Sequence, residues 1–204
     1  MPLGGANNPP VGKTSRSPDP CFILQHMKSR ETGFTLIELM IVVAITGMLI
    51  ALAAPNFRIL LVKRSVNAAA EALVTDMKFA RSEAIRRTTT VSICSSSNGT
   101  SCSALTDWKD GWIVWVDDKV GGAVGTLDSG EVVVRAQEAP QNIASMPFTL
   151  AVVSYLPLGL ARQANGNFVV TPNGGGSAAN GTTRLICVSI QGRAALRKVG
   201  DSAC

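Results

Sequence analysis

Histidine occurs once in this sequence of 204 residues, at His26. A metal site built on imidazoles, or a catalytic triad with an internal histidine base, therefore has no foundation here. None of the five cysteines forms a Cys-x-x-Cys pair, so the paired spacing of a zinc site is missing as well. Charged residues make up 16% of the chain and aromatics 5%, whereas an ordinary soluble domain carries about a quarter charged residues. No paired-carboxylate motif offers general acid–base chemistry. These absences leave no catalytic constellation, and no enzyme activity, cofactor or metal is expected. What the chain has in excess is hydropathy, with a mean of +0.24 and a formal charge of +5. The length allows one ordinary domain plus one membrane segment and excludes a multi-span transporter.

The excess is concentrated. Phe34 to Ala54 reads FTLIELMIVVAITGMLIALAA, 21 residues with a single charge at Glu38. As a helix it is about 31 Å long, close to the hydrocarbon thickness of a bilayer. A buried soluble helix is a poor alternative, because so long a run has no polar face. A cleaved secretory signal is the other, with Lys28 and Arg30 ahead of the run and small residues at Ala51, Ala53 and Ala54. Glu38 weighs against both. A carboxylate costs about 2.5–3.5 kcal/mol near the centre of a membrane helix, less near its end, and needs a partner.

Gly33-Phe-Thr-Leu-Ile-Glu38-Leu-Met, preceded by the short basic peptide from Met27, resembles the class III signal of type IV prepilins and type II secretion pseudopilins. The resemblance implies cleavage by a prepilin peptidase between Gly33 and Phe34, and N-methylation of Phe34. It also implies that Glu38 neutralises the terminal ammonium of a neighbouring subunit in the filament. Gly47 and Pro55 fall where pilin helices loosen or kink, and proline supplies a mechanism by lacking an N–H and crowding the preceding turn. Residues 1–33 are then a leader. A start at Met27 leaves the seven residues typical of such leaders, which makes 1–26 a candidate misassigned start. Residues 1–20 are rich in Pro, Gly and Asn and read as disordered. Gly12-Lys13-Thr14 fails as a phosphate loop, because Asn7 stands where the first glycine is required. The expected topology is a single pass through the bacterial inner membrane, N-terminus cytoplasmic and head periplasmic.

After the span at 34–54, residues 55–87 continue as an amphipathic helix. Ile59, Val62, Val66, Ala69, Leu73, Met77, Ala80 and Ala84 form one apolar stripe, while Lys63, Arg64, Lys78, Arg81 and Arg86 lie mostly off it. Residues 88–204 change period. Short strands are expected at Thr90–Cys94, Trp112–Val116, Glu131–Ala136, Phe148–Tyr155, Phe168–Thr171, Arg184–Ile190 and Ala194–Val199, with glycine-rich, mobile loops at 121–130 and 173–183. The fold class is α+β, a long N-terminal helix packed on one face of an antiparallel β head. Along the expected strand, Trp112, Val114 and Val116 share one face and Ile113 and Trp115 the other. Loss of the leader, and of Cys21 with it, leaves Cys94, Cys102, Cys187 and Cys204. Four cysteines allow three connectivities, among them Cys94–Cys102 and Cys187–Cys204, and an oxidising periplasm favours pairing over free thiols.

Trp108-Lys-Asp-Gly-Trp-Ile-Val-Trp-Val-Asp117 is similar to the head signature of the GspH/FimT branch, the minor pseudopilins of type II secretion and minor pilins of type IV pili. This implies a subunit at or near a filament tip, supporting assembly or protein secretion, with other major and minor pilins as partners. Residues 117–128 superficially resemble a calcium loop with Gly122 at its sixth place. Lys119 and Gly121 occupy the third and fifth ligand positions, so a solvated acidic turn is expected instead. Some members of the branch bind DNA through a C-terminal Gly-Arg-x-Arg motif. Here Gly192-Arg193 is followed by Ala-Ala-Leu before Arg197-Lys198, displacing the second arginine by two residues. On one strand Arg193 and Arg197 face the same way and Lys198 the other. Duplex DNA, bound through phosphates in a salt-dependent way, is the alternative partner. A basic edge that discourages strand pairing is the plainer reading. Without the leader the formal charge is +3, basic on the long helix and C-terminal strands, acidic between Asp107 and Glu138.

Overall fold

The computed structural model describes residues 33–118, 120–174 and 181–201, with backbone alone at 53–56. The chain divides into two compact units, Met1–Ala44 and Ile45–Cys204. Helix α1 runs over Leu36–Arg87. At its start the Glu38 amide donates to Thr35 Oγ1 at 3.2 Å and the Leu39 amide to the Thr35 carbonyl. The Thr35 side chain thus satisfies one of the amide groups that every helix N-terminus leaves without an intrahelical partner, and its carbonyl accepts the first bond of the helix. No single helix among the described residues is long and apolar enough to cross a membrane. Leu36–Leu52 and Phe57–Arg87 meet that requirement together, as a bent pair, by length and composition.

In the second unit α1 packs on antiparallel strands. The head contains β1 (Thr90–Ser95), β2 (Gly111–Asp117), β3 (Val132–Glu138), β4 (Ile143–Ser145), β5 (Val152–Tyr155), β6 (Ala161–Arg162), β7 (Gly166–Pro172), β8 (Arg184–Val188) and β9 (Ala194–Lys198). They form two sheets, ordered β3-β2-β1-β5-β6 and β4-β7-β8-β9. The α+β class is as expected, and the antiparallel head is divided into two sheets. The short strands β4 and β6 carry too few residues for alternation to register in the sequence. Phe148–Leu150 is not strand. Asp107 Oδ1 accepts the Met146 amide, the Phe148 amide donates to Thr106, and the Trp108 amide donates to Met146. Met146–Phe148 therefore lies against Thr106–Trp108, and β5 begins only at Val152.

The main core joins Val66, Ala69, Ala70, Leu73, Met77, Ala80 and Ala84 of α1 to Val91, Ile93, Trp112, Val114, Val153, Phe168, Val170, Ile186 and Val188. The stripe is buried only from Val66 onward; Ile59 is exposed and Val62 half-buried, since the sheets do not reach those turns. The opposite face of the first sheet buries a second cluster, Cys94, Ile113 and Trp115, against Leu127, Val133 and Val152. Strand β2 is consequently covered on both sides, and the expected split of its side chains between two faces holds. Phe148 stacks on Phe168 at 4.1 Å between ring centroids, and Trp108 meets Phe168 edge-on at 5.2 Å.

The helix ends where the sequence places its end. Thr88 takes φ +53°, a left-handed conformation that stops the helix and is strained for a β-branched residue. One turn earlier, Arg86 and Arg87 both donate to the buried Glu83 carboxylate. These bonds hold Glu83 down from 4.5 to about 2. A lowered carboxylate pKa contributes stability that is fully present above 4.5 and is lost as pH falls through about 2. Glu83→Gln is therefore expected to flatten the acid limb of head stability over that window, read as the urea midpoint of the full chain against pH.

Candidate functional site

The amino-terminal site is compact. Gly33 and Phe34 lie immediately ahead of α1, and Glu38 is in its first turn; all three are exposed. A carboxylate there lies at the positive end of the helix dipole. Thr35 and Glu38 also have the Ser/Thr-x-x-Glu spacing of a capping box, of which the Thr35 half is formed. Thr35 is the site residue that sequence reasoning passed over, although that spacing was there to signal it.

The C-terminal basic residues are brought together only in part. Arg197 and Lys198 lie at the end of β9, the edge strand of the second sheet, opposite Leu185 and Arg184 of β8. Arg193 lies in the turn before β9, not on the strand, so strand alternation does not align it with Arg197. All three side chains are exposed. Arg184 donates to the carbonyls of Gly181 and Thr183.

The turn after β2 is largely exposed, as expected, except at its first residue. Asp117 is buried, and its Oδ2 accepts both the Ser92 hydroxyl at 2.7 Å and the Gly125 amide at 2.7 Å. Its carboxylate closes the loop onto the sheet. Among the described residues no group of three or more His, Cys, Asp or Glu side chains could hold a metal. Cys94 and Cys102 form a disulfide, as one of the three connectivities required. Cys187 is also disulfide-bonded, whereas Cys204, and with it the Cys187–Cys204 expectation, lies outside the described residues.

One further cluster has no signal in the local pattern of residues. Asp76, on α1, is buried; its Oδ2 accepts the Trp112 indole N–H at 2.8 Å and its Oδ1 accepts Arg135 Nη1. The Arg135 guanidinium also stacks on Phe79, 4.2 Å from the ring centroid. Helix, β2 and β3 thus meet at one carboxylate.

Two solved structures are similar to part of this chain. Both are crystal structures of the type IV minor pilin FimU from Pseudomonas aeruginosa PAO1. One is 21% identical, covering 64% of this chain and 91% of its own, with a TM-score of 0.47. The other is 20% identical, covering 66% and 89%, with a TM-score of 0.49. No protein of curated function matches the chain. The prokaryotic N-terminal methylation motif matches residues 28–54, across Gly33, Phe34 and Glu38. The type II transport protein GspH family matches residues 69–192, from the buried half of α1 to the turn before β9. A match over more than half of the sequence, beside the methylation motif, makes this chain a member of the GspH family of minor pilins and pseudopilins, structural subunits of filaments.

Proposed function

We propose that the chain is cleaved between Gly33 and Phe34 by a prepilin peptidase, methylated on Phe34, and held in the inner membrane by Phe34–Ala54 with its head in the periplasm. From there it enters a type IV pilus or type II secretion pseudopilus at or near the tip and helps assembly begin. It has no catalytic role. The reading rests on one observation: every residue from Phe34 to Leu52 is exposed, yet Glu38 is the sole charge among them. An apolar surface of that length needs lipid or the helices of like subunits to cover it. Glu38, in the first turn, is within reach of an incoming subunit's terminal ammonium, which gives the carboxylate the partner it needs in an apolar filament core. Glu38→Val is expected to leave processing intact and to remove the subunit from sheared filaments. Recovery of the variant there at the normal level would contradict this role.

A second reading has one observation in its favour. Arg193, Arg197 and Lys198 are exposed and none is in an ion pair among the described residues. Such side chains can neutralise phosphates, so a DNA-receptor role predicts duplex binding by the detergent-solubilised full chain that weakens as salt rises. Binding unchanged by Arg193→Ala with Arg197→Ala removes this reading.

A further inference from the structure

Three segments distant in sequence converge at the end of α1, and the contacts that hold them together leave apolar side chains facing outward. The β5–β6 connection makes a tight turn in which the Gly159 amide donates to Leu156 and the Leu156 amide to Leu160. The β8–β9 connection makes another, with the Gly192 amide donating to Ser189. The two turns are joined by the Ala161 amide donating to the Ile190 carbonyl at 2.9 Å. They meet backbone to backbone. A Cβ on Gly192 would come within 2.0 Å of the Gly159 carbonyl oxygen, and one on Gly159 within 2.8 Å of Ile85 Cδ1. Both glycines have positive φ, so both turns depend on them.

The outcome is an uncovered apolar corner. Leu158, at the tip of the first turn, is 83% exposed, Ile190 in the second 51%, Ile85 on the last turn of the helix 49%, and Leu160 44%. Four such side chains, three on the interlocked turns and one on the helix end beside them, do not belong to the scatter of single exposed apolar residues that every surface carries. Arg162 and Arg193, both exposed, flank them. Neither turn contributes an acidic residue, so the rim is of one sign.

From this geometry we propose that the corner is a docking surface for another filament subunit, one that presents an apolar face bordered by carboxylates. The apolar centre with a charged rim is the anatomy of a specific protein interface. The positive rim selects an acidic border on the partner. Duplex DNA fits it worse, because a phosphate backbone offers nothing to cover Leu158 and Ile190. The proposal rests on the filament-subunit reading above, and the test separates the two.

The full chain carrying a photo-crosslinking benzoyl-phenylalanine at position 158 is expressed in its own cells, irradiated, and analysed by mass spectrometry together with its N-terminal peptide. A second position, Val132 on β3, is the exposed control. The expected result is an adduct from position 158, and not from 132, to a different subunit that itself carries a prepilin-type N-terminus, at a peptide with acidic residues beside apolar ones. Ile190→Glu, with the crosslinker at 158, is expected to lower that adduct by about tenfold, as loss of a central apolar anchor does. Reversal of the rim by Arg162→Glu with Arg193→Glu is expected to lower it further. A processed, methylated Phe34 with no adduct, or with an adduct to DNA, to lipid or to a second copy of this chain, overturns the docking surface alone. An unprocessed N-terminus overturns the reading beneath it, and the docking surface with it.

Discussion

Asp76→Ala is expected to destabilise the head by about 3 kcal/mol, because this buried carboxylate joins three elements at once. Its removal leaves the Trp112 indole N–H buried without its acceptor and frees Arg135 from the helix. Arg135 is itself 41% exposed on its side chain, so its charge can turn to water, which is why the loss falls at the lower end of the range for broken buried pairs. Arg135→Gln should be no milder, since it strands the buried carboxylate with the indole as its remaining partner. Asp76→Asn, which keeps an acceptor for Trp112, should cost about 1–1.5 kcal/mol. Urea unfolding of the full chain in detergent micelles checks all three by tryptophan fluorescence. Trp108, Trp112 and Trp115 are all fully buried in the head, so the signal reports that unit. Equal stability of Asp76→Ala and the parent chain would show that the cluster holds nothing together.

Gly192→Ala tests the other long-range junction. An alanine there meets a backbone oxygen at 2.0 Å, not the flexible end of a side chain, and its φ of +75° adds strain of its own. About 3 kcal/mol of destabilisation is expected from the two effects together. Gly121→Ala separates them: its φ is +84°, but nothing lies within 4 Å of the added methyl. That control should lose only the conformational part, about 1 kcal/mol. The same unfolding experiment reads both variants. If they lost equal stability, the close approach of Gly192 to Gly159 would have no energetic weight. A further consequence is specific to Gly192: separating the two turns should reduce crosslinking from position 158 even where the head stays folded.

What the sequence makes legible here is what is local. The helix stripe from Val66 to Ala84, the stop after Arg87 and the alternating faces of β2 each depend on residues a few positions apart, and periodicity carries them. The methylation motif is likewise contiguous. What stays hidden depends on distance along the chain. Asp76 and Glu83 are one heptad apart on the buried face of α1, where a reading by residue type assigns charges to solvent. Neither residue belongs to the apolar stripe, and Trp112 and Arg135 lie 36 and 59 residues from Asp76. Asp117 is the same case, its loop-closing partners Ser92 and Gly125 being invisible to a motif comparison that tests only for calcium ligands. The two-sheet division escapes for another reason. Strands of two or three residues have no period to detect, and Phe148 reads as the start of a strand although its amide in fact donates to Thr106. Of the candidate sites, the amino-terminal one is legible because one short segment carries all of it. Arg193 precedes β9, which begins at Ala194 as expected, so the alternation that carries Arg197 does not extend to it.

If this apolar helix is the processed start of a filament subunit, the N-terminal peptide of the chain recovered from membranes of its own cells carries the mark of it. Mass spectrometry of that peptide is expected to show a chain beginning at Phe34 with one methyl group on its terminal nitrogen. A chain still carrying residues ahead of Gly33, or one cut among Ala51, Ala53 and Ala54 so that the helix is gone, would contradict it.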